Sequence, residues 1–293
     1  MEQGLDVSTP GRTREVLKRH GLHLKKSLGQ NFLVERRILE RIVEAADLRP
    51  DKGVLEIGPG IGALTQQLAR RAGRVVAVEI DHRLLPALEE TLRGFGHIRV
   101  IHGDILKLPL RELWGDWFDP SMPVSVVANL PYYITTPIIM KLLEEKLPLD
   151  LIVIMVQKEV AERLAAAPGG KQYGSLSIAV QYYCEPELVT IVPHSVFVPP
   201  PNVDSAVIRL KLRRSPPVEV PDEGLFFQVV QACFAQRRKT LANNLLNSRF
   251  FAKEDRGVVE DILERAGIEP SRRGESLSME DFARLCRHIF PRL

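Results

Sequence analysis

Between residues 54 and 156 the chain repeats one pattern: a short apolar run followed by a stretch of helical spacing. The runs are VLEIG (54–58), RVVAVEI (74–80), IRVIHGD (98–104), VSVVANL (124–130) and LIVIMV (151–156). Residues 62–72, 82–93, 135–146 and 157–167 carry helical periodicity. Strands apolar on both faces that alternate with helices predict an α/β domain, its parallel sheet covered on both sides. Such sheets bind ligands outside the carboxyl ends of their strands. The residues that close these runs are therefore the first candidates for chemistry.

The flanks read differently. Ile38, Leu39, Ile42, Val43 and Ala46 predict an amphipathic helix over 35–47, and residues 1 to 20 are expected to be poorly ordered apart from a short helix. YYCEPELVTIV (182–192) and SAVIRLKL (205–212) are strand-like with no helix between them, and predict an antiparallel pair at one edge of the sheet. KLRRSPPVEVP (211–221) is a charged, Pro-rich hinge. From Asp222 on the pattern is helical. The expected organisation is a basic, partly disordered arm (1–34), a ligand-binding α/β domain (35–214) and a small all-α domain (215–293).

Charge is concentrated in two places. Arg12 to Arg37 holds eight Lys/Arg against two acids, and Leu225 to Lys253 holds five Lys/Arg and no acid. Two basic segments far apart in sequence point to a polyanionic partner. The longest strongly apolar run, LIVIMV, is too short to span a bilayer, and MEQGLDVSTPGRTR lacks the apolar centre of a secretory leader. Cys184, Cys233 and Cys286 are widely spaced without CxxC, which argues against a disulfide framework or a zinc site and fits a cytoplasmic protein. No membrane association and no metal are expected, and a monomer is the simplest state.

The first run leads into GPGIG (58–62) and a helix. Glycines there allow a tight turn and close approach to a ligand; with Ala63 the string also satisfies G-x-G-x-x-A. Glu79, closing the second run, can accept from both ribose hydroxyls of either NAD or S-adenosylmethionine. Asp104, after the third, is placed to accept from an adenine amino group or else to cap a turn. The fourth run closes on Asn129-Leu130-Pro131-Tyr132, and no hydride-transfer constellation accompanies it.

That tetrapeptide suits methylation of an exocyclic amine. The amino nitrogen of adenine is a poor nucleophile because its lone pair is delocalised into the ring. Two acceptors aimed at its N–H groups favour a pyramidal nitrogen. The Asn129 side-chain oxygen can be one and the Leu130 carbonyl the other, since a residue before proline is held extended. Pro131 removes a competing N–H. Tyr132 offers a flat face for a flipped-out base. Tyr133 has no assigned role beyond packing.

LGQNFL (28–33), LEIGPGIGALT (55–65), VEID (78–81), GDIL (103–106), NLPYYI (129–134), YGSLS (173–177), VFVPPPNVDSAV (196–207) and FAQRRKTLANNL (234–245) occur in this order. The chain so closely resembles the KsgA family, bacterial dimethyltransferases acting on two adjacent adenosines near the 3′ end of 16S rRNA in the small ribosomal subunit. The resemblance implies a class I S-adenosylmethionine-dependent methyltransferase, a seven-stranded Rossmann-like sheet with its last strand antiparallel, and a helical C-terminal RNA-binding domain. It implies cofactor contacts at Asn31, Leu33, Gly58, Glu79, Asp104 and Asn129, with Glu56 near the methionine end. It places Phe197 opposite Tyr132 across the target base, and makes Lys25, Lys26, Arg237, Arg238 and Lys239 RNA-facing, the last three on a helix. The Lys25–Lys26 arm runs straight into QNFL, so it is expected to order only with substrate. Three alternatives stand beside this: a large-subunit rRNA methyltransferase of the resistance type, a mainly non-catalytic subunit assembly factor, and an NAD-dependent oxidoreductase.

Overall fold

A computed structural model describes residues 6–23, 25, 28–251 and 254–292. In chain order the elements are α1 (Pro10–Arg19), β1 (Phe32–Leu33), α2 (Arg36–Ala45), β2 (Gly53–Ile57), α3 (Ala63–Ala69), β3 (Arg74–Glu79), α4 (Leu85–Thr91), β4 (Ile98–His102), α5 (Leu110–Trp117), β5 (Val124–Asn129), α6 (Thr135–Glu144), β6 (Leu149–Gln157), α7 (Lys158–Leu164), α8 (Ser175–Tyr183), β7 (Cys184–Val192), β8 (Phe197–Val198), β9 (Ser205–Leu212), α9 (Glu223–Cys233), α10 (Leu241–Leu246), α11 (Arg256–Arg265) and α12 (Met279–Ile289). The chain divides into two compact units, one of residues 1–161 and 185–212, the other of 162–184 and 213–293.

The first unit is built on a seven-stranded sheet in the order β4-β3-β2-β5-β6-β9-β7. The five runs seen in the sequence are its parallel strands, in register from Val54↔Val75 and Leu55↔Val126 out to Ala77↔Val100 and Ala128↔Ile154. β2, β5 and the body of β6 are buried on both faces, which is why they lack the polar alternation of a half-exposed strand. β9 then runs antiparallel to β6, with Ile152 facing Leu210 and Gln157 facing Ser205. β7 lies beyond β9 at the edge, as the two strand-like runs suggested. A separate two-stranded ribbon pairs Phe32 with Val198 and Leu33 with Phe197. Two-residue strands have no periodicity to read, so this ribbon left no sequence signal.

Residues 6–20, expected to be poorly ordered apart from a short helix, contain the ten-residue α1. α1 buries Val16 and Leu17, together with Val7, in one cluster with Ile61, Leu84 and Ala87. Arg19 and His20 both reach Glu90 on α4. Burial of Val16 and Leu17 contributes on the order of 3–5 kcal/mol before ordering costs, enough to hold a ten-residue helix that could not stand alone.

The second unit is helical, and its make-up differs from the expected boundary. The C-terminal segment starts at Arg213, close to the expected 215, but Glu162–Cys184 belongs to it as well. Tyr173, Ile178 and Tyr182 sit in the same core as Phe226, Val229, Leu263 and Phe282. Tyr182 and Tyr183 end α8 instead of starting a strand, and their rings pack on Phe227. The helix starts carry their own caps: Asp222 accepts from the Leu225 N–H at 2.6 Å, and Ser278 and Asp281 form a reciprocal capping box. Cys184, Cys233 and Cys286 are buried free thiols.

Candidate active site

The carboxyl ends of β2, β3 and β5 open into one cleft, which Asn31, Leu33, Glu56, Gly58, Glu79, Asn129, Leu130, Pro131 and Tyr132 all line. Chain segments far apart in sequence thus meet where a parallel sheet binds ligands. Gly58 and Gly60 take positive φ, +71° and +63°, to turn the chain from β2 into α3. At Gly60 a side chain would also meet the Phe32 ring at 2.6 Å, so the loop and the QNFL segment approach each other only over a glycine.

Glu79 ends β3 almost fully buried. Its two oxygens accept from the Gly60 N–H at 3.2 Å and the Asp81 N–H at 2.8 Å, which fixes the carboxylate and leaves each oxygen a further lone pair. Burial nevertheless raises its pKa, the two backbone N–H groups opposing that shift. Asp81 is itself held by Arg83, which keeps its carboxyl far below the usual range, and by the Gln30 amide at 2.9 Å. The Gln30 oxygen accepts from the Lys25 N–H. Gln30 thus ties the QNFL segment to the Glu79 turn, a positioning role that sequence reading missed.

Glu56 is buried in β2 and has a carboxylate oxygen with no hydrogen-bond partner among the described residues. Burial, with a smaller contribution from the charge of Glu79, pushes its pKa up to about 8; the adjacent Thr65 hydroxyl opposes this without reaching hydrogen-bond geometry. An orphaned acid lining a cleft is a socket for a cation.

Asn129 ends β5 and donates its side-chain N–H to the Asn31 carbonyl at 3.1 Å. That bond fixes the amide and leaves its oxygen as the free acceptor. The Leu130 N–H is taken by Met155 on β6, while the Pro131 carbonyl accepts from Ile134 N–H and the Thr135 hydroxyl as α6 begins. Tyr132 hangs over the cleft with its hydroxyl 2.7 Å from the buried Ser205 Oγ, a second positioning partner the sequence had not revealed outside the VDSAV string.

The remaining candidates have other surroundings. Asp104 accepts from the Leu106 N–H with one carboxylate oxygen, and its other oxygen lies 3.8 Å from Lys107, the turn-capping arrangement. Phe197 is buried in the ribbon beside Leu33, within the core cluster of the first unit. Tyr133 is not packed away but 56% exposed, its ring against Gly29. Lys25 is described, whereas Lys26 lies outside the described residues. Arg237, Arg238 and Lys239 occupy the turn between α9 and α10, not a helix. Arg237 is bound there to Glu275 and the Lys171 carbonyl.

Residues 21–285 match the sequence profile of the ribosomal RNA adenine dimethylases. The chain belongs to that family. It is 59% identical over 280 residues to ribosomal RNA small subunit methyltransferase A of Geobacillus sp. (strain WCH70), covering 96% of each chain. It is 58% identical to the protein so named in Bacillus cereus (strain B4264), again over 96% of each. Among solved structures it resembles a dimethyladenosine transferase from Plasmodium falciparum (28% identity, TM-score 0.72, 86% of this chain and 94% of that one) and the 23S rRNA methyltransferase ErmE (32% identity, TM-score 0.66, 89% and 100%).

The methyl donor of this dimethylase family is S-adenosylmethionine, and the cleft fits it. The donor carries a ribose, for which Glu79 presents two preset acceptors, and cationic sulfonium and ammonium groups, either of which would offset the burial that keeps Glu56 protonated and favour its ionised form. The G-x-G-x-x-A string, formally compatible with NAD, therefore serves a methyltransferase. No helix among the described residues is long and apolar enough to cross a membrane.

Proposed function

We propose that this chain dimethylates N6 of two adjacent adenosines near the 3′ end of 16S rRNA in the small ribosomal subunit, acting in the cytoplasm as a monomer and contributing to subunit maturation. One observation carries the chemistry: Asn129, which lines the cleft with Glu79 and Glu56, gives its side-chain N–H to Asn31 and keeps its oxygen as an acceptor. The two small-subunit relatives at 58–59% identity support the choice of substrate over the large-subunit one.

When bound, S-adenosylmethionine supplies an electrophilic methyl group. The chain supplies position. The Asn129 oxygen and the Leu130 carbonyl accept from the two N–H groups of the target amine and localise its lone pair. Tyr132, its hydroxyl anchored to Ser205, carries the extruded base on its face. Leu130 is held in place by its own N–H bond to β6, so the acceptors are set before the substrate arrives. Alignment then replaces acid–base catalysis, and the proton leaves to water. Phe197 would reach the base only if its place in the ribbon yielded, whereas Asp104 spends one oxygen on its own turn and keeps the other for the adenine amino group. Lys25, Lys26, Arg238 and Lys239 would meet phosphates, giving salt-dependent affinity with little sequence choice.

The test is transfer of labelled methyl from S-adenosylmethionine to unmethylated small subunits, large subunits and naked rRNA, with the products mapped. Label on two adjacent small-subunit adenosines is expected. Label confined to large-subunit RNA would overturn the assignment.

A further inference from the structure

The helical unit carries a groove of its own, and its walls are unusual. The α9 positions Phe226, Val229, Val230 and Cys233 are buried in the core, whereas Gln228, Gln231 and Ala232 on α9 and Ala235 just beyond its end line the groove. Two amides followed by two alanines leave a trough in place of a ridge. Across it stand Asn247, Ser248, Arg249 and Phe250, from the end of α10 and the turn after it. The Arg249 guanidinium lies 5.3 Å from the centre of the Phe250 ring and bonds to Gln228, so one wall is flat and cationic.

The rim is basic and rigidly mounted. Buried Asn244 accepts from the Gln236 N–H at 3.1 Å and donates to the carbonyls of Cys233 and Gln236, fastening the turn that carries Arg237, Arg238 and Lys239 to the groove edge. Arg238 and Lys239 are exposed and make no ion pair among the described residues. From Leu225 to Lys253 the sequence offers no acid to compete for them.

Each wall selects against some ligands. A phosphate alone would want cations on the floor, and the floor is amides and alanine methyls. A purely apolar ligand would strand the amides. A nucleobase suits both parts: the Gln228 N–H groups, the Gln231 amide and the Asn247 oxygen offer donors and acceptors to its edge, and a flat aromatic–guanidinium wall receives its face. We infer that this groove holds an unpaired base of the RNA substrate, with the flanking phosphates on Arg238 and Lys239. This rests on the rRNA reading above and deepens it: the helical unit would choose RNA by an unstacked base as well as by charge.

The experiment compares two RNA hairpins of equal length, one with a single unpaired base in its stem and one fully paired. Full-length chain is titrated into each by fluorescence anisotropy at several salt concentrations. Wild type is expected to prefer the bulged hairpin about tenfold. The Gln228→Ala/Gln231→Ala variant is expected to lose that preference with an unchanged salt slope. Arg238→Ala/Lys239→Ala should weaken both hairpins alike and lower the slope by about two. Asn247→Ala repeats the first test at a position outside α9, and circular dichroism checks that each variant is folded. A wild type with no preference, or glutamine variants that keep it, would overturn the groove assignment. Methyl transfer by wild type to small subunits is scored separately, so failure of the rRNA reading is not confused with failure of the groove.

Discussion

At the scale of single residues the cleft holds two kinds of polar group. Those already satisfied set geometry, and those left open receive ligand. Asn129 is both, its N–H spent on Asn31 and its oxygen open. Replacing it with alanine removes one acceptor from the target amine and leaves the cofactor carboxylates intact. Asn129→Ala is expected to lower the methyl-transfer rate about 10²–10³-fold, the size typical of one preorganised polar contact, while cofactor affinity by calorimetry changes far less. Equal losses in both would mean that Asn129 serves the cofactor as much as the target amine. Glu56 is the open group with a pH signature. Its folded pKa, raised to about 8 by burial, lies above the ordinary 4.5, so the folded chain keeps a proton that the unfolded chain releases. Glu56 therefore makes stability fall as pH rises through that window and level off above it. Glu56→Gln should flatten this slope, giving a variant whose melting temperature exceeds wild type by several degrees at about pH 8 and converges on it near about pH 4.5. Parallel melting curves across that range would show that Glu56 is not held neutral.

At the scale of elements, helix starts carry their own caps. Ser278 and Asp281, three residues apart, form a capping box with bonds of 2.9 and 3.1 Å. Ser278→Ala should destabilise the helical unit by about 1 kcal/mol, seen as a lower urea midpoint with an unchanged m-value. The five parallel strands were legible in the sequence, because burial on both faces leaves continuous apolar runs. The β1–β8 ribbon and α8 were not. The ribbon has two residues per strand, and in α8 the apolar Tyr182–Tyr183 merges into the start of β7. Function was legible at strand ends for the same reason as fold: Glu79, Asn129 and the glycine turn each stop a run that periodicity identifies. Asp104 stops one too, and gives one of its oxygens to its own turn.

At the scale of the whole molecule, the helical unit is discontinuous. Residues 213–293 have the caps and the apolar faces of a domain, but part of their core arrives from Tyr173, Ile178 and Tyr182. A polypeptide of residues 213–293 alone is expected to lack a cooperative thermal transition by circular dichroism, and one joining 162–184 to it through a flexible linker is expected to regain it. A cooperative transition in the shorter piece would mean that those three side chains are dispensable.

The amino-acid sequence alone determined the parallel sheet, the glycine turn and the acceptor tetrapeptide, because each follows from local burial, backbone freedom or the chemistry of adjacent residues. Tertiary structure decided what depends on distant partners. It set which face of the Asn129 amide is free, seated Tyr132 on Ser205, folded the amino-terminal helix over Ile61 and Leu84, and assigned Glu162–Cys184 to the helical core. Those outcomes rest on contacts between residues tens of positions apart, and no local pattern encodes them.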